Sequence, residues 1–286
     1  MSHPGLRAEL LARSAELEGQ HAAILARRGG GRALALAIAT AGLALYLGGL
    51  VLLEVSPVRI WHGLGELGTI LVLMLPPSTG GHLMLYLEAL GQTLSIAFLG
   101  TMLAAALALP FGFLAARNVV ANRLVHALAR RSLDAVRSID VLIWALIWIN
   151  VVGLGPFAGA LAIASSDCGA LAKLVSEAIE TADRKSVEGV LASGGGRLSA
   201  IRFGIVPQVL PVFASQLLYF FESNTRSATI IGIVGAGGIG LHLYEQIRVL
   251  EWQQVAFLIV MVLVTVAAID FGSRRLRQAI IGSRTA

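Results

Sequence analysis

The chain has 286 residues, 56% of them hydrophobic and 14% charged, with a mean hydropathy of +0.79; this leaves too little polar surface to cover a soluble globule and predicts a polytopic membrane protein. Its net charge of +5 and pI near 10.0 do not indicate nucleic acid, because the basic residues fall in short clusters between apolar runs, without interleaved aromatics. The single cysteine, Cys168, excludes an internal disulfide and any multi-cysteine metal site.

Residues 1–32 set Arg7, Glu9, Arg13, Glu16, Glu18, Arg27 and Arg28 among Leu6, Leu10, Leu11, Leu17 and Leu25, which predicts an amphipathic helix on the cytosolic surface. No apolar h-region starts before Ala33, so this segment is not read as a signal peptide. Residues 33–286 read as one transmembrane domain. A first span is expected at 33–53, since a bilayer core takes ~20 apolar residues. The shorter run 67–75, closed by Pro76 and Pro77, is expected to be an interfacial helix. Span 2 is placed at 83–114, with a kink near Pro110 and Gly112. Span 3 is placed at 139–152, opened by Asp140; residues 153–157 reverse the chain into span 4 at 158–177.

The stretch 184–211, RKSVEGVLASGGGRLSAIRFGIVPQVLP, is polar and Gly-rich between strongly apolar neighbours. Ser186 is expected to cap a short helix that Gly194, Gly195 and Gly196 stop, and a second short helix is expected over 197–203. Span 5 follows at 208–234, then a Gly-rich segment and an amphipathic stretch, then span 6 at 252–271.

Charge sets the expected orientation. Arg7, Arg13, Arg27, Arg28 and Arg32; Arg117, Arg123, Arg130, Arg131 and Arg137; Arg184, Lys185, Arg197 and Arg202; and Arg274, Arg275, Arg277 and Arg284 all fall on one side, which is eighteen of the 22 basic residues. Only Arg59 and Arg248 lie in loops on the other side. The positive-inside rule then predicts six spans with both termini cytosolic and the stretch 184–211 facing the cytosol.

Neither Lys173 nor Lys185 lies in a G-x-x-x-x-G-K-[ST] loop, so this chain is not expected to bind ATP. Gly235, Gly237 and Gly240 formally match G-x-G-x-x-G after a β-branched run, but position 260 is a valine in an apolar span, where a dinucleotide site needs an acid. Gly235, Gly237, Gly238 and Gly240 are read instead as close-packing residues near an outer gate. The six histidines are scattered with no i, i+4 pair, so no metal site is expected. Polar residues inside spans are costly in lipid and usually face a partner or a water-filled path. That criterion singles out Asn150, Ser165, Ser166, Asp167, Glu222, Asn224, Thr225 and Arg226. Glu222 and Arg226, four apart on one helix face, are expected to pair.

Glu188 followed by small or apolar residues, Gly194, and then Gly204, Ile205, Val206 and Pro207 resembles the cytoplasmic EAA loop of importer-type ABC permeases. Gly189 and Val190 stand where two alanines are usual there. Glu177 to Glu180, Gly153 to Phe157, Glu222 to Thr229 and Gly235 to Gly240 together resemble phosphonate and phosphite transporter permeases, over about residues 85–277. The resemblance implies an all-α, type I importer permease of the methionine-importer kind, with six transmembrane helices in a bacterial inner membrane. It implies an ATPase-docking role for Glu188, Gly189, Gly194, Arg197 and Pro207, and a phosphonate, phosphite or hypophosphite cargo. The implied partners are a second permease copy in a homodimer, two ATPase subunits holding ATP and Mg, and an external solute-binding protein. Family likeness supplies function by analogy. An importer of another small anion or amino acid, an ATP-independent secondary transporter, and a membrane enzyme or scaffold are the alternatives. An ATPase found beside this chain would separate them.

Overall fold

The structure, a computed structural model, describes residues 29–120 and 122–282. The amphipathic helix expected at the N-terminus lies almost wholly outside them. All regular structure among the described residues is helical. The described residues up to 69 and those from 70 onward fall into two separate compact units. In the first, α1 (Gly29–Leu52) is apolar enough to cross a membrane. Helix α2 (Pro57–Leu73) starts there and has no buried residue; the run expected as a separate interfacial helix at 67–75 is instead mostly its C-terminal part.

The second unit contains α3 (Leu83–Ala115), α4 (Arg123–Arg137), α5 (Val141–Val152), α6 (Pro156–Glu180), α7 (Arg184–Ala192), α8 (Val206–Ile231), α9 (Ile239–Arg248) and α10 (Trp252–Gly282). Among the described residues, α1, α3, α6, α8 with its flanks, and α10 are each long and apolar enough to cross. The expected third span needs correction. Helix α5 has 12 residues, about 18 Å at the α-helical rise, against a hydrocarbon core of ~30 Å. It qualifies only together with α4, from which it is bent by 88°. Asp140 explains the break: its Oδ1 accepts from Leu142 N at 2.8 Å, capping a new helix after α4 has ended.

The core sits between α3 and α6. Ile96, Ala97, Ala104 and Ala108 on one face Ala162, Ile163, Leu171 and Ala172 on the other, all buried. Small residues let the backbones approach, so that van der Waals packing replaces the hydrophobic drive that lipid does not supply. Helix α3 continues through Pro110 as far as Ala115. A Cβ on Gly100 would lie 2.7 Å from Ile163 Cβ, whereas nothing lies within 4 Å of one on Gly91. Gly100→Leu is therefore expected to destabilise by about 1–3 kcal/mol or more, and Gly91→Leu to be neutral. Thermal unfolding of the purified chain in detergent checks this; equal melting of the two variants would refute the close packing.

Candidate functional site

Asp167 lies at the middle of α6, Asn224 on α8 and Thr101 on α3, and the structure brings the three together. Asn224 Nδ2 donates to Asp167 Oδ2 at 2.5 Å and to Thr101 Oγ1 at 2.9 Å. Thr101 Oγ1 donates in turn to Ala97 O at 2.6 Å. One amide thus satisfies polar groups of two other helices where water is scarce.

Two residues earlier on α8, the largely buried Glu222 accepts from two guanidiniums. Its Oε1 lies 3.4 Å from Arg226 Nη1 and its Oε2 3.4 Å from Arg277 Nη2. The i, i+4 pair is the expected one. Arg277 is not, because the sixth span was expected to end at 271; α10 instead continues to Gly282 and carries Arg277 back against α8. One carboxylate between two guanidiniums leaves a net positive charge. The Arg226 side chain is 49% exposed, against 21% for Arg277. Arg226 is thus the cation of the trio available to an anion.

The other polar candidates lie apart from these groups or turn back on their own helices. Asn150 is exposed and donates to Leu146 O at 2.8 Å. Thr225 is buried and donates to Phe221 O at 3.0 Å. Ser165 accepts from Trp148 Nε1 at 2.9 Å, tying α5 to α6.

The glycine run joins α8 to α9 through a π-helix (Gly232–Ala236). Gly235, Gly237 and Gly238 have φ of +103°, +79° and +73°, where a side chain is strained. A Cβ on Gly240 would overlap the Thr229 carbonyl. The Ile239 N–H donates to Thr93 Oγ1 at 2.8 Å, and Gly155 N–H to Gly235 O at 3.1 Å. With no strand among the described residues, the run packs helices rather than cradling a dinucleotide.

At the other end of α6 lies the polar stretch. Helix α7 is capped by Asp183, whose Oδ1 accepts from Lys185 N at 3.0 Å; Ser186, expected as the cap, lies inside the helix. Gly195 N–H reaches Val190 O and Gly194 N–H reaches Leu191 O, with Gly194 at φ +87°, a pattern that closes the helix end. The second short helix is not separate. One turn at Arg197–Ser199 and a π-helix (Ala200–Ile205) lead without a gap into α8, with Pro207 in its first turn. Helix α7 lies against this π-turn at Gly204, where a Cβ would come 3.0 Å from Val187 Cα. Gln208 clips the two: its Oε1 accepts from Asp183 N at 2.9 Å, and its Nε2 donates to Asp183 O and Gly204 O. Glu188, Gly189 and Arg197 remain exposed, beside exposed Leu191, Leu198 and Phe203.

A family profile described as "Binding-protein-dependent transport system inner membrane component" matches residues 108–282. The putative phosphite transport system permease protein HtxC of Stutzerimonas stutzeri is 37% identical over 226 residues, covering 79% of this chain and 80% of its own length. The phosphite transport system permease protein PtxC of the same organism is 35% identical over 217 residues, covering 76% and 78%. Among solved structures, the inward-facing MetNI methionine ABC transporter superposes with a TM-score of 0.63 at 20% identity, over 71% of this chain and 99% of that one. At that identity the likeness speaks to the fold alone.

Proposed function

The chain belongs to the family of inner membrane components of binding-protein-dependent transport systems, the permease subunits of ABC importers, and from that premise we propose that its cargo is a small phosphorus oxyanion: phosphonate, phosphite or hypophosphite. The observation that carries this reading is the phosphite transport named for two relatives, which match about three quarters to four fifths of the chain. The surplus positive charge around Glu222 supports it. A fixed cation replaces part of the hydration an anion loses on leaving water. Arg226 meets the cargo in this reading, Glu222 and Arg277 hold it in place, and the Asp167, Asn224 and Thr101 cluster locks the helices beside it.

Two copies of the chain form the membrane dimer, since a machine with two ATPase subunits needs two docking elements and the described residues supply one. The ATPases grip α7 through Glu188, Gly189, Gly194, Arg197 and Pro207, and they alone hold ATP and Mg. Gly235, Gly237, Gly238 and Gly240 shape the outer gate, where an external binding protein delivers cargo. Closure of the ATPases then shifts the dimer between its two openings.

Uptake of labelled phosphite, methylphosphonate and hypophosphite, in cells that express this chain with its ATPase and binding protein, tests the cargo class. No oxyanion uptake alongside uptake of an amino acid would overturn it. This reading puts both termini in the cytosol, on the basic side of the membrane. Reporters fused after Gly80 or at His242 are expected to read outside, and fusions after Arg131 or Arg277 inside; an inside reading at Gly80 would redraw the topology.

A further inference from the structure

Where α3 ends and α4 begins, basic side chains surround two open cavities. One of about 490 Å³ is lined by Arg117, Val120, Arg123 and His126. A second, of about 300 Å³, shares Arg117 and His126 and adds Ala127, Arg130, Arg131 and Asp134. The carboxylates nearby are already engaged. Glu180 Oε1 accepts from Arg117 N–H at 3.0 Å and lies 3.5 Å from Arg130 Nη1, Glu177 is 3.9 Å from Arg130, and Asp134 is shared by Lys173 at 3.2 Å and Arg137 at 3.6 Å. The guanidiniums of Arg117, Arg123 and Arg131 form no ion pair with the described residues. His126 Nε2 is buried with no hydrogen-bond partner among them, 3.9 Å from Glu180. Helix α4 begins at the first cavity, where Asn122 Oδ1 accepts from the N–H groups of Leu124 at 2.9 Å and Val125 at 3.4 Å and so caps the helix.

Three guanidiniums outside any ion pair with the described residues, Arg117 and Arg123 around the first cavity and Arg131 in the second, where it also acts on Asp134, suit a compact, multiply charged oxygen anion. We propose that this cleft is a second anion site, separate from Arg226, which binds a phosphate group. Two sources offer that chemistry: the headgroup of an anionic phospholipid and free inorganic phosphate. The first fits Leu124 and Leu128, 68% and 60% exposed on the same helix, which present apolar surface to acyl chains beside the arginines. The second fits a transporter whose imported oxyanion accumulates at this face. The site adjoins the docking element: Asn118, next to Arg117, donates to the Ile179 and Glu180 carbonyls, three to four residues before the Asp183 cap of α7.

The test uses the full chain in nanodiscs, whose two faces are equally accessible, so the outcome does not depend on the orientation or cargo assigned above. In phosphatidylcholine discs, inorganic phosphate is titrated at constant ionic strength and thermal unfolding is followed. In discs containing phosphatidylglycerol, lipid retained on release from the disc is counted by native mass spectrometry. A saturable rise in Tm identifies free anion as the source, and retained phosphatidylglycerol identifies the headgroup. Arg123→Gln and Arg131→Gln are each expected to weaken the positive signal about tenfold, Arg123→Lys to restore part of it, and Arg248→Gln, remote from both anion sites, to leave it unchanged. Arg123 and Arg131 are exposed and outside any ion pair with the described residues, so their variants keep the fold. Absence of both signals, or signals that survive in the Arg123→Gln/Arg131→Gln double variant, would overturn the proposal.

Discussion

Replacing Arg226 by glutamine is expected to leave the subunit folded in the membrane while oxyanion uptake falls at least about tenfold, the loss of one charge-assisted contact. The two effects separate because Glu222 keeps Arg277 at 3.4 Å, so no carboxylate is left unpaired. Glu222→Gln is expected to do the opposite. It leaves the largely buried Arg277 without its carboxylate, and removing one partner of a buried pair costs about 3–5 kcal/mol; assembly fails before transport can be measured. Exchanging the charges of Glu222 and Arg226 is not a clean test, since it sets a new guanidinium against Arg277. Initial uptake rates in vesicles and melting of the purified variants decide the matter. Arg226→Gln with full uptake would remove Arg226 from the pathway, and Glu222→Gln melting like the parent would deny the trio any structural weight.

Gly204→Leu is expected to abolish coupled uptake with the chain still inserted. A Cβ there meets Val187 Cα at 3.0 Å and Val187 N at 3.2 Å, both backbone atoms that cannot rotate aside. Helix α7 must therefore lift from the π-turn or tilt. Overpacking costs about 1–3 kcal/mol, and the same energy lost from a docking surface weakens binding about 5- to 150-fold. Glu188→Lys reverses an exposed charge in the same element and is expected to lose the ATPase without altering melting. Gln208→Ala, which removes the clip at Asp183 and Gly204, costs about 1 kcal/mol and should give an intermediate phenotype. Co-purification with the ATPase reads all three. Normal co-purification and uptake in both Gly204→Leu and Glu188→Lys would sink the docking role.

What was legible in the sequence was local. The apolar spans, Asp140 as the opening of the 139–152 helix and the Glu222 to Arg226 pair all depend on neighbours within one or two turns. What was missed depends on distance. Thr101 meets Asn224 across 123 residues, Arg277 meets Glu222 across 55, and Gln208 meets Asp183 across 25. Arg277 was also hidden by its company: among Arg274 and Arg275 it counted as a cytosolic anchor, and only the continuation of α10 past Phe271 turns it inward. Ser186 lost the cap to Asp183 because the helix starts one residue after an aspartate equally suited to capping. Neither π-helix has a signature that a 3.6-residue period would reveal.

The amide of Asn224 also imposes an order of events on synthesis. Asp167 is made 57 residues earlier, a delay of roughly 3–11 s at ribosomal speed. During that interval the newborn helix carries the Asp167 carboxyl group at its midpoint with no Asn224 amide to donate to it. Such a segment partitions into lipid poorly by itself, so the insertion machinery must retain it beside α3 until α8 emerges. A chain truncated before Asn224 should therefore remain crosslinkable to that machinery, and one extended past Ile231 should be released.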